Sequence, residues 1–289
     1  MYRVDNAVIM AAGTSSRFAP LSYERPKALT EVKGEVLIER QIRQLREAGI
    51  DDLYVVTGYQ AKQFDYLKEK YGVRMIYNPD YLLRNNHASI WRARQVIRNS
   101  YICSADNYFS INPFDREVER AYYAAVYAEG HTDEWCMTEK DGIIHSVTIG
   151  GRDAWCMLGH VFWDENFSKK FLTILEQIYD DPATVDKLWE RIYIDHIREL
   201  PMAIKKYPAN VIYEFDTLDE LRQFDASYID DTRSVVLKKI CRKLGVKERE
   251  VTNIRACKGA DTAAVGFTFQ CKDRHYRFDY EKEELTEEC

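Results

Sequence analysis

The strongest constraint on this chain is an alternation of strand-like and helix-like stretches over its first hundred residues. Ala7-Val8-Ile9-Met10-Ala11 is a short buried-strand run that stops at Gly13, and Val36, Leu37, Ile38, Ile42 and Leu45 then recur at helical spacing until Gly49. Leu53 to Val56 predicts a second strand ending at Gly58, Ala61 to Lys70 a second helix, and Val73 to Tyr77 a third strand closed by Asn78-Pro79. A helix over Ala88 to Ile97 then precedes Tyr101 to Ala105, a fourth strand that delivers Asp106. Such alternation predicts an α/β fold of three layers around a parallel sheet, whose ligands bind outside the carboxyl ends of the strands. Gly13, Gly58 and Asp106 all fall at that edge.

From Ala124 the rhythm changes. Strand-like runs at Ala124 to Ala128, Trp135 to Thr138, Ile143 to Ile149 and Ala154 to Trp163 are separated by polar turns and read as antiparallel, so the sheet is expected to be mixed but mostly parallel. Helices over Glu165 to Tyr179 and Thr184 to Leu200, and a strand-turn-helix over Val211 to Phe224, complete a first domain of residues 1–225. Residues 226–289 form a small α+β appendage: a basic amphipathic helix over Thr232 to Leu244, then short strands at Val251 to Cys257, Val265 to Cys271 and His275 to Tyr280.

With 289 residues, 46% hydrophobic and 30% charged, the chain can bury a sizeable core without disulfide staples. A formal net charge of -6 argues against a general nucleic-acid or anionic-membrane surface, so any anion site must be a local focus of Lys and Arg. The seven cysteines, Cys103, Cys136, Cys156, Cys241, Cys257, Cys271 and Cys289, form no C-x-x-C and no zinc spacing, which suits reduced thiols in a cytoplasm. Neither a signal peptide nor an apolar run of membrane-spanning length is present, so a cytoplasmic protein is expected.

The chemically informative stretch is Ala11-Ala12-Gly13-Thr14-Ser15-Ser16-Arg17, with Pro26-Lys27 ten residues on. Small residues let backbone N–H groups and hydroxyls approach phosphate oxygens, and Arg17 and Lys27 supply the charge a triphosphate requires. The stretch lacks the glycine and lysine pattern of a P-loop and the three glycines of a dinucleotide fingerprint.

This stretch resembles the signature of the nucleotidyltransferase superfamily, A-A-G-x-G-[ST]-R followed by P-K, with Ser15 where that signature has its second glycine. Ser104-Ala105-Asp106-Asn107 resembles the acidic strand end that holds the catalytic magnesium. Gln63 to Arg74, Asn99-Ser100-Tyr101 and Phe162-Trp163-Asp164 are similar to bacterial CTP:phosphocholine cytidylyltransferases, a likeness that covers roughly Ala7 to Phe224. The resemblance implies a three-layer Rossmann-like nucleotidyltransferase fold and transfer of CMP from CTP to phosphocholine, or to a related amino-alcohol phosphate or phosphonate. It implies catalytic roles for Arg17, Lys27 and Asp106, and nucleotide binding by Ala11, Ala12, Gly13, Thr14, Ser15 and Ser16.

The chemistry accounts for the residue types. In-line attack of an anionic oxygen on the α-phosphorus, with pyrophosphate leaving, depends on positioning and charge neutralisation. A phosphate monoester with a second pKa of about 6 is already a nucleophile at neutral pH, so no general base is needed. Mg²⁺ takes oxygen ligands, usually one or two carboxylates plus substrate phosphates. Asp106 is the expected first ligand; Glu190, after Trp189, is implied as the second, with Asp216 in reserve. The alternatives are a solvated helix face for Glu190 and a helix N-cap for Asp216.

Asn85, Asn86 and Ser89 precede or open a helix, where they either read a base edge or ribose, Asn86 and Ser89 being the nucleotide candidates, or cap that helix. Trp135, Trp163 and Trp189, with Tyr193, Asp133, Glu134 and Asp186 nearby in sequence, could form the aromatic and anionic cage that a quaternary ammonium prefers; core packing is the alternative. Leu188 stands where an aromatic would strengthen that cage. In the tail, Val251 to Arg255, Gly259 to Phe269 and Tyr276-Arg277-Phe278 resemble the opening β-lobe of choline kinases, with Gly259-Ala260 and Ala263 in place of the usual residues and no catalytic loop. The tail therefore reads as a remnant or an interaction module, and truncation after Asp225 is expected to leave an active enzyme. Rival readings are a sugar-1-phosphate nucleotidyltransferase and a silent nucleotide-binding regulator. A homodimer is compatible with all of them.

Overall fold

The computed structural model describes residues 1–259 and 264–288; Ala260, Ala263 and Cys289, drawn on above, lie outside them. The chain forms two compact units. One comprises Met1–Gly13 and Leu37–Glu214, the other Thr14–Val36 and the chain from Phe215 onward. The second unit thus claims a segment that the sequence assigns to the first domain, as well as that domain's last eleven residues, Phe215 to Asp225.

The first unit is built on a seven-stranded sheet. Its strands are β1 (Asn6–Ala11), β2 (Leu53–Thr57), β3 (Arg74–Tyr77), β4 (Ser100–Ser104), β5 (Tyr122–Lys140), β6 (Ile143–Trp163) and β7 (Ala203–Tyr207). They lie in the order β7-β5-β6-β4-β1-β2-β3, and β6 alone runs against the rest. The largely buried runs of β1, β2 and β4 belong to parallel strands inside the sheet. Helices α1 (Leu37–Glu47), α2 (Tyr66–Tyr71), α3 (His87–Ala93), α4 (Glu165–Ile178) and α5 (Trp189–Asp195) supply the apolar faces that cover it. The Asp164 carboxylate caps α4, accepting from the backbone of Asn166 and Phe167, each at 3.0 Å.

The four antiparallel runs expected from Ala124 onward are the straight legs of β5 and β6. Both strands bend at the intervening polar residues, so Cys156 faces Val126 on one side and Cys136 on the other, while Cys136 also faces Thr148. Asp141-Gly142 closes the hairpin with φ values of 54° and 74°, the left-handed pair that a tight β-turn of matching twist requires. Strand β7 is absent from the sequence reading. It pairs in parallel with the start of β5 at the sheet edge, and Lys205 and Lys206 disguise it.

The second unit holds a small hairpin at Glu31–Val32 and Glu35–Val36, helices α6 (Leu218–Phe224) and α7 (Val235–Leu244), and a four-stranded antiparallel sheet. That sheet comprises β8 (Val251–Lys258), β9 (Ala264–Cys271), β10 (Arg274–Asp279) and β11 (Glu284–Glu288), in chain order. Helix α7 stops at Gly245, which takes the left-handed conformation at φ 65°. Buried Arg222 on α6 donates to the carbonyls of Glu248 at 2.8 Å and Val251 at 2.6 Å, fastening α6 to the sheet. Val251, Phe267, Phe269, Leu237 and Ile240 form its core.

Candidate active site

In the first unit, neighbouring strands β1 and β4 end together: Met10 pairs with Ser104, and the Ala105 N–H donates to the Met10 carbonyl at 3.1 Å. In the order β4-β1-β2-β3 this is where strand progression reverses, the position at which open α/β sheets bind ligands. Gly13 follows β1 and is exposed, and a Cβ added there would meet nothing within 4 Å. Packing does not demand that glycine. Gly58, at the end of β2, is different, since a Cβ would lie 2.7 Å from Tyr81 and 2.8 Å from the Ala12 carbonyl. Of the two glycines at this edge, Gly58 serves the fold and Gly13 leaves backbone open to close approach.

Asp106 lies in the turn after β4, half-buried. Its backbone is fixed by Gln41 on α1, whose Nε2 donates to the carbonyls of Ser104 at 2.8 Å and Asn107 at 2.9 Å, one on each side of Asp106. Gln41 is fully buried. Sequence reasoning passed over it, although a Gln on the core-facing stripe of Ile38, Ile42 and Leu45 is the signal that would have found it.

Asn86 and Glu190 meet. The Asn86 side chain donates to Glu190 Oε2 at 3.0 Å and accepts from the Trp189 N–H at 2.7 Å, so it caps α5 and orients the carboxyl together. The Tyr123 hydroxyl also reaches Glu190. Loss of water pushes the Glu190 carboxyl up to about 7, against the opposing hydrogen bonds of Asn86, its own backbone and Tyr123. Asn85 ties the same loop down, donating to the Asp186 carbonyl at 3.0 Å. Asn86, at the N-cap of α3, makes no side-chain cap bond to that helix, and the Asn85 Oδ1 accepts from the Asn86 N–H at 2.7 Å. Ser89 is buried and accepts from Asn78 at 3.3 Å, so its expected part in reading the nucleotide is corrected: the hydroxyl is inside α3's packing.

The aromatic residues sort by burial. Trp163 is 0% and Trp189 2% exposed, with their rings edge to face at 5.2 Å, and Tyr123 stacks on Trp189 at 5.8 Å. Tyr193 is buried as well. Trp163 and Trp189 are core residues, and the expectation that both present open faces to the acceptor is corrected by that packing. Trp135 is half-buried, and Asp133, Glu134 and Asp186 are exposed.

In the second unit, Ser15 adopts φ 47° and ψ 43°, a left-handed conformation that glycine takes without strain, and its carbonyl starts the turn Ser16–Phe18 by accepting from Phe18 at 2.9 Å. That turn carries Arg17, exposed at its tip. Lys27 is 3% exposed, in a second turn over Lys27–Leu29. Asp216 bridges the two cations, its Oδ2 2.7 Å from Arg17 Nη1 and its Oδ1 3.5 Å from Lys27 Nζ. Asp216 is not the helix cap, for Thr217 caps α6 in a reciprocal capping box with Glu220. Two cations gathered on one carboxylate are the local positive focus that the acidic overall charge required.

Residues 7–173 match the family described as the MobA-like NTP transferase domain. The chain belongs to that family. This NTP transferase is 36% identical over 220 residues to a choline-phosphate cytidylyltransferase of Streptococcus pneumoniae, an alignment covering 76% of this chain and 96% of the relative. It is 35% identical over 234 residues to a 2-aminoethylphosphonate cytidylyltransferase of Lancefieldella rimae, covering 79% of this chain and 95% of that one. A solved structure of the CTP:phosphocholine cytidylyltransferase from S. pneumoniae superimposes with a TM-score of 0.75 at 36% identity, over 78% of this chain and 99% of its own. The nucleotidyltransferase fold and enzyme class read from the sequence are therefore correct.

The carboxylates of this NTP transferase offer oxygen donors to magnesium. Among the described residues no three His, Cys, Asp or Glu side chains converge as a metal cage, and Mg²⁺ asks for no such cage, taking one or two carboxylates and substrate oxygens for the rest of its shell. Asp106, held at a strand end, and Asp216, beside two phosphate-type cations, have the donor chemistry it asks for. Glu190, its direction fixed by Asn86, offers the same oxygen donors, and a cation beside it favours its ionised form.

Proposed function

We propose that this enzyme transfers CMP from CTP to phosphocholine with release of pyrophosphate. The observation that carries this reading is the pairing of a phosphate-type cation cluster, Arg17 and Lys27, with a separate carboxyl, Glu190, withdrawn among aromatic rings. One suits the polyanionic end of the substrates, the other the cationic end of an amino-alcohol. The S. pneumoniae relatives support the acceptor.

In the reaction, a phosphocholine oxygen attacks the α-phosphorus of CTP in line, forming the new P–O bond as the bond to the β-phosphate oxygen breaks. Arg17 and Lys27 stabilise the charge that accumulates on the departing pyrophosphate. Backbone N–H groups from Ala11 to Ser16 bind the phosphate oxygens, and the bare backbone of Gly13 allows the approach. Asp106, held at the end of β4, would be the carboxylate ligand of a magnesium ion whose remaining ligands come from substrate oxygens. Bound Mg²⁺ supplies charge neutralisation and alignment of the phosphates. Glu190, fixed by Asn86 and Tyr123, accepts the ammonium end of the acceptor; a nearby cation favours its ionised form. Half-buried Trp135 supplies a ring face to the same group. The six cysteines among the described residues are free, in keeping with a reducing compartment such as the cytoplasm, and no described helix is long and apolar enough to cross a membrane.

A second acceptor, 2-aminoethylphosphonate, is favoured by the L. rimae relative and by Leu188, which is aliphatic where an aromatic would complete a cage. A panel of four NTPs against phosphocholine, phosphoethanolamine, 2-aminoethylphosphonate and glucose 1-phosphate, scored by pyrophosphate release, decides between them. CTP with phosphocholine should give the highest kcat/KM; a preference for glucose 1-phosphate would overturn the reading.

A further inference from the structure

The appendage does not stand apart from the segment that carries Arg17 and Lys27. Glu24, three residues before Lys27, sends its carboxylate onto the N-terminus of α7, more than two hundred residues away in sequence. It accepts from the N–H groups of Val235 at 2.8 Å and Val236 at 3.2 Å and from the Ser234 hydroxyl. A carboxylate there satisfies orphan donors and meets the positive end of the helix dipole. Ser234 in turn caps α7 through the Leu237 N–H at 3.0 Å. Tyr23 stacks on Tyr280, just past β10, with ring centroids 3.7 Å apart and planes 5° from parallel. Strand β8 lies against the Ser16–Phe18 turn itself. At the far end of the segment, the Tyr228 hydroxyl donates to the Glu31 carbonyl at 2.6 Å and the Lys33 N–H donates to Asp225 at 2.7 Å.

We propose that residues 226–288 are the mount for the nucleotide cradle, with Glu24 and Tyr280 as positioning residues that hold the Arg17 and Lys27 turns in their binding geometry. The segment Thr14–Val36 contains two short 3₁₀ turns, one four-residue helix and a two-residue hairpin, too little regular structure to fix two cations by itself. Its order comes from α7, β8 and Tyr280. The tail is thus neither a remnant nor a free interaction module, and the expectation that truncation after Asp225 spares activity is reversed. This inference rests on the cytidylyltransferase reading only in naming CTP as the ligand of the cradle.

The test uses the full chain. In Glu24→Ala/Tyr280→Ala, amide hydrogen exchange across peptides covering residues 16–30 should rise while peptides from β1 and β4 keep wild-type protection. The KM for CTP should rise about tenfold or more, the KM for phosphocholine staying within about twofold, as expected when only the triphosphate site loosens. Tyr280→Phe, which keeps the stack, should match wild type, and if the double variant does not fold, the contrast between Tyr280→Ala and Tyr280→Phe carries the same comparison. Unchanged exchange over residues 16–30 would overturn the mount. So would raised exchange with an unchanged KM for CTP. If the wild-type chain turns over no CTP, the functional reading fails, and the exchange result still decides whether the tail holds the segment.

Discussion

The cradle around Arg17 and Lys27 and the wall around Glu190 use charge in opposite ways. In the first, two cations share one carboxylate, Asp216, and Arg17 stays open to solvent. In the second, one carboxyl is drawn away from water beside Trp189 and Tyr123, with Asn86 fixing its direction. An ion-paired and exposed cation such as Arg17 can be handed to a polyanion at small cost, whereas a carboxyl poor in water gains much from a cation that arrives beside it. Under the proposed function the two regions serve opposite ends of the substrates, and substitutions in each should separate them.

The largest effects belong to the phosphate end. Asp106→Ala should abolish pyrophosphate release, and Lys27→Ala should lower kcat about a hundredfold or more, each with the fold intact by circular dichroism, because both remove charge that matters most as pyrophosphate departs. Near-wild-type turnover in either would end the cradle assignment.

Trp189→Ala separates core from cage. A side chain 2% exposed and packed on Trp163 and Tyr123 should cost about 3–5 kcal/mol of stability, read as a fall in Tm that a surface ring would not give. An unchanged Tm with a raised acceptor KM would return Trp189 to the binding wall.

The Glu190 wall predicts a pH signature. Its folded pKa, about 7, lies above the ordinary carboxyl value, so the carboxyl contributes stability that is present below the unfolded pKa and lost as pH rises through about 7. Glu190→Gln should therefore gain Tm relative to wild type at pH 8 but not at pH 5. The KM for phosphocholine should worsen below pH 7 in the wild type more than in the variant. The acceptor phosphate itself titrates near 6 in both proteins, so the difference between them isolates Glu190.

How much of this was legible in the sequence follows from what each region asks of its residues. The strands β1, β2 and β4 lie inside the sheet and are largely buried, which forces continuous apolar runs, and their ends put Gly13 and Asp106 where the pattern expects a ligand. Edge strands carry no such signal, so Lys205 and Lys206 hid β7, and the acidic run Glu284–Glu288 hid β11. Gln41 was missed because a polar side chain that organises a backbone looks, in sequence, like one that reads a ligand. Nor could composition show that Glu24 caps a helix beginning at Val235, since a contact across more than two hundred residues leaves no local trace.

The most direct test compares Arg17→Ala with Glu190→Gln in one set of steady-state measurements, titrating CTP and phosphocholine in turn. The division of labour predicts a crossed pattern: Arg17→Ala lowers kcat and weakens CTP while sparing the acceptor KM, and Glu190→Gln raises the acceptor KM about tenfold or more while sparing CTP, in line with loss of one charge-assisted contact. If both variants move both substrates together, the two regions do not divide the substrates between them, and the account is wrong at its centre.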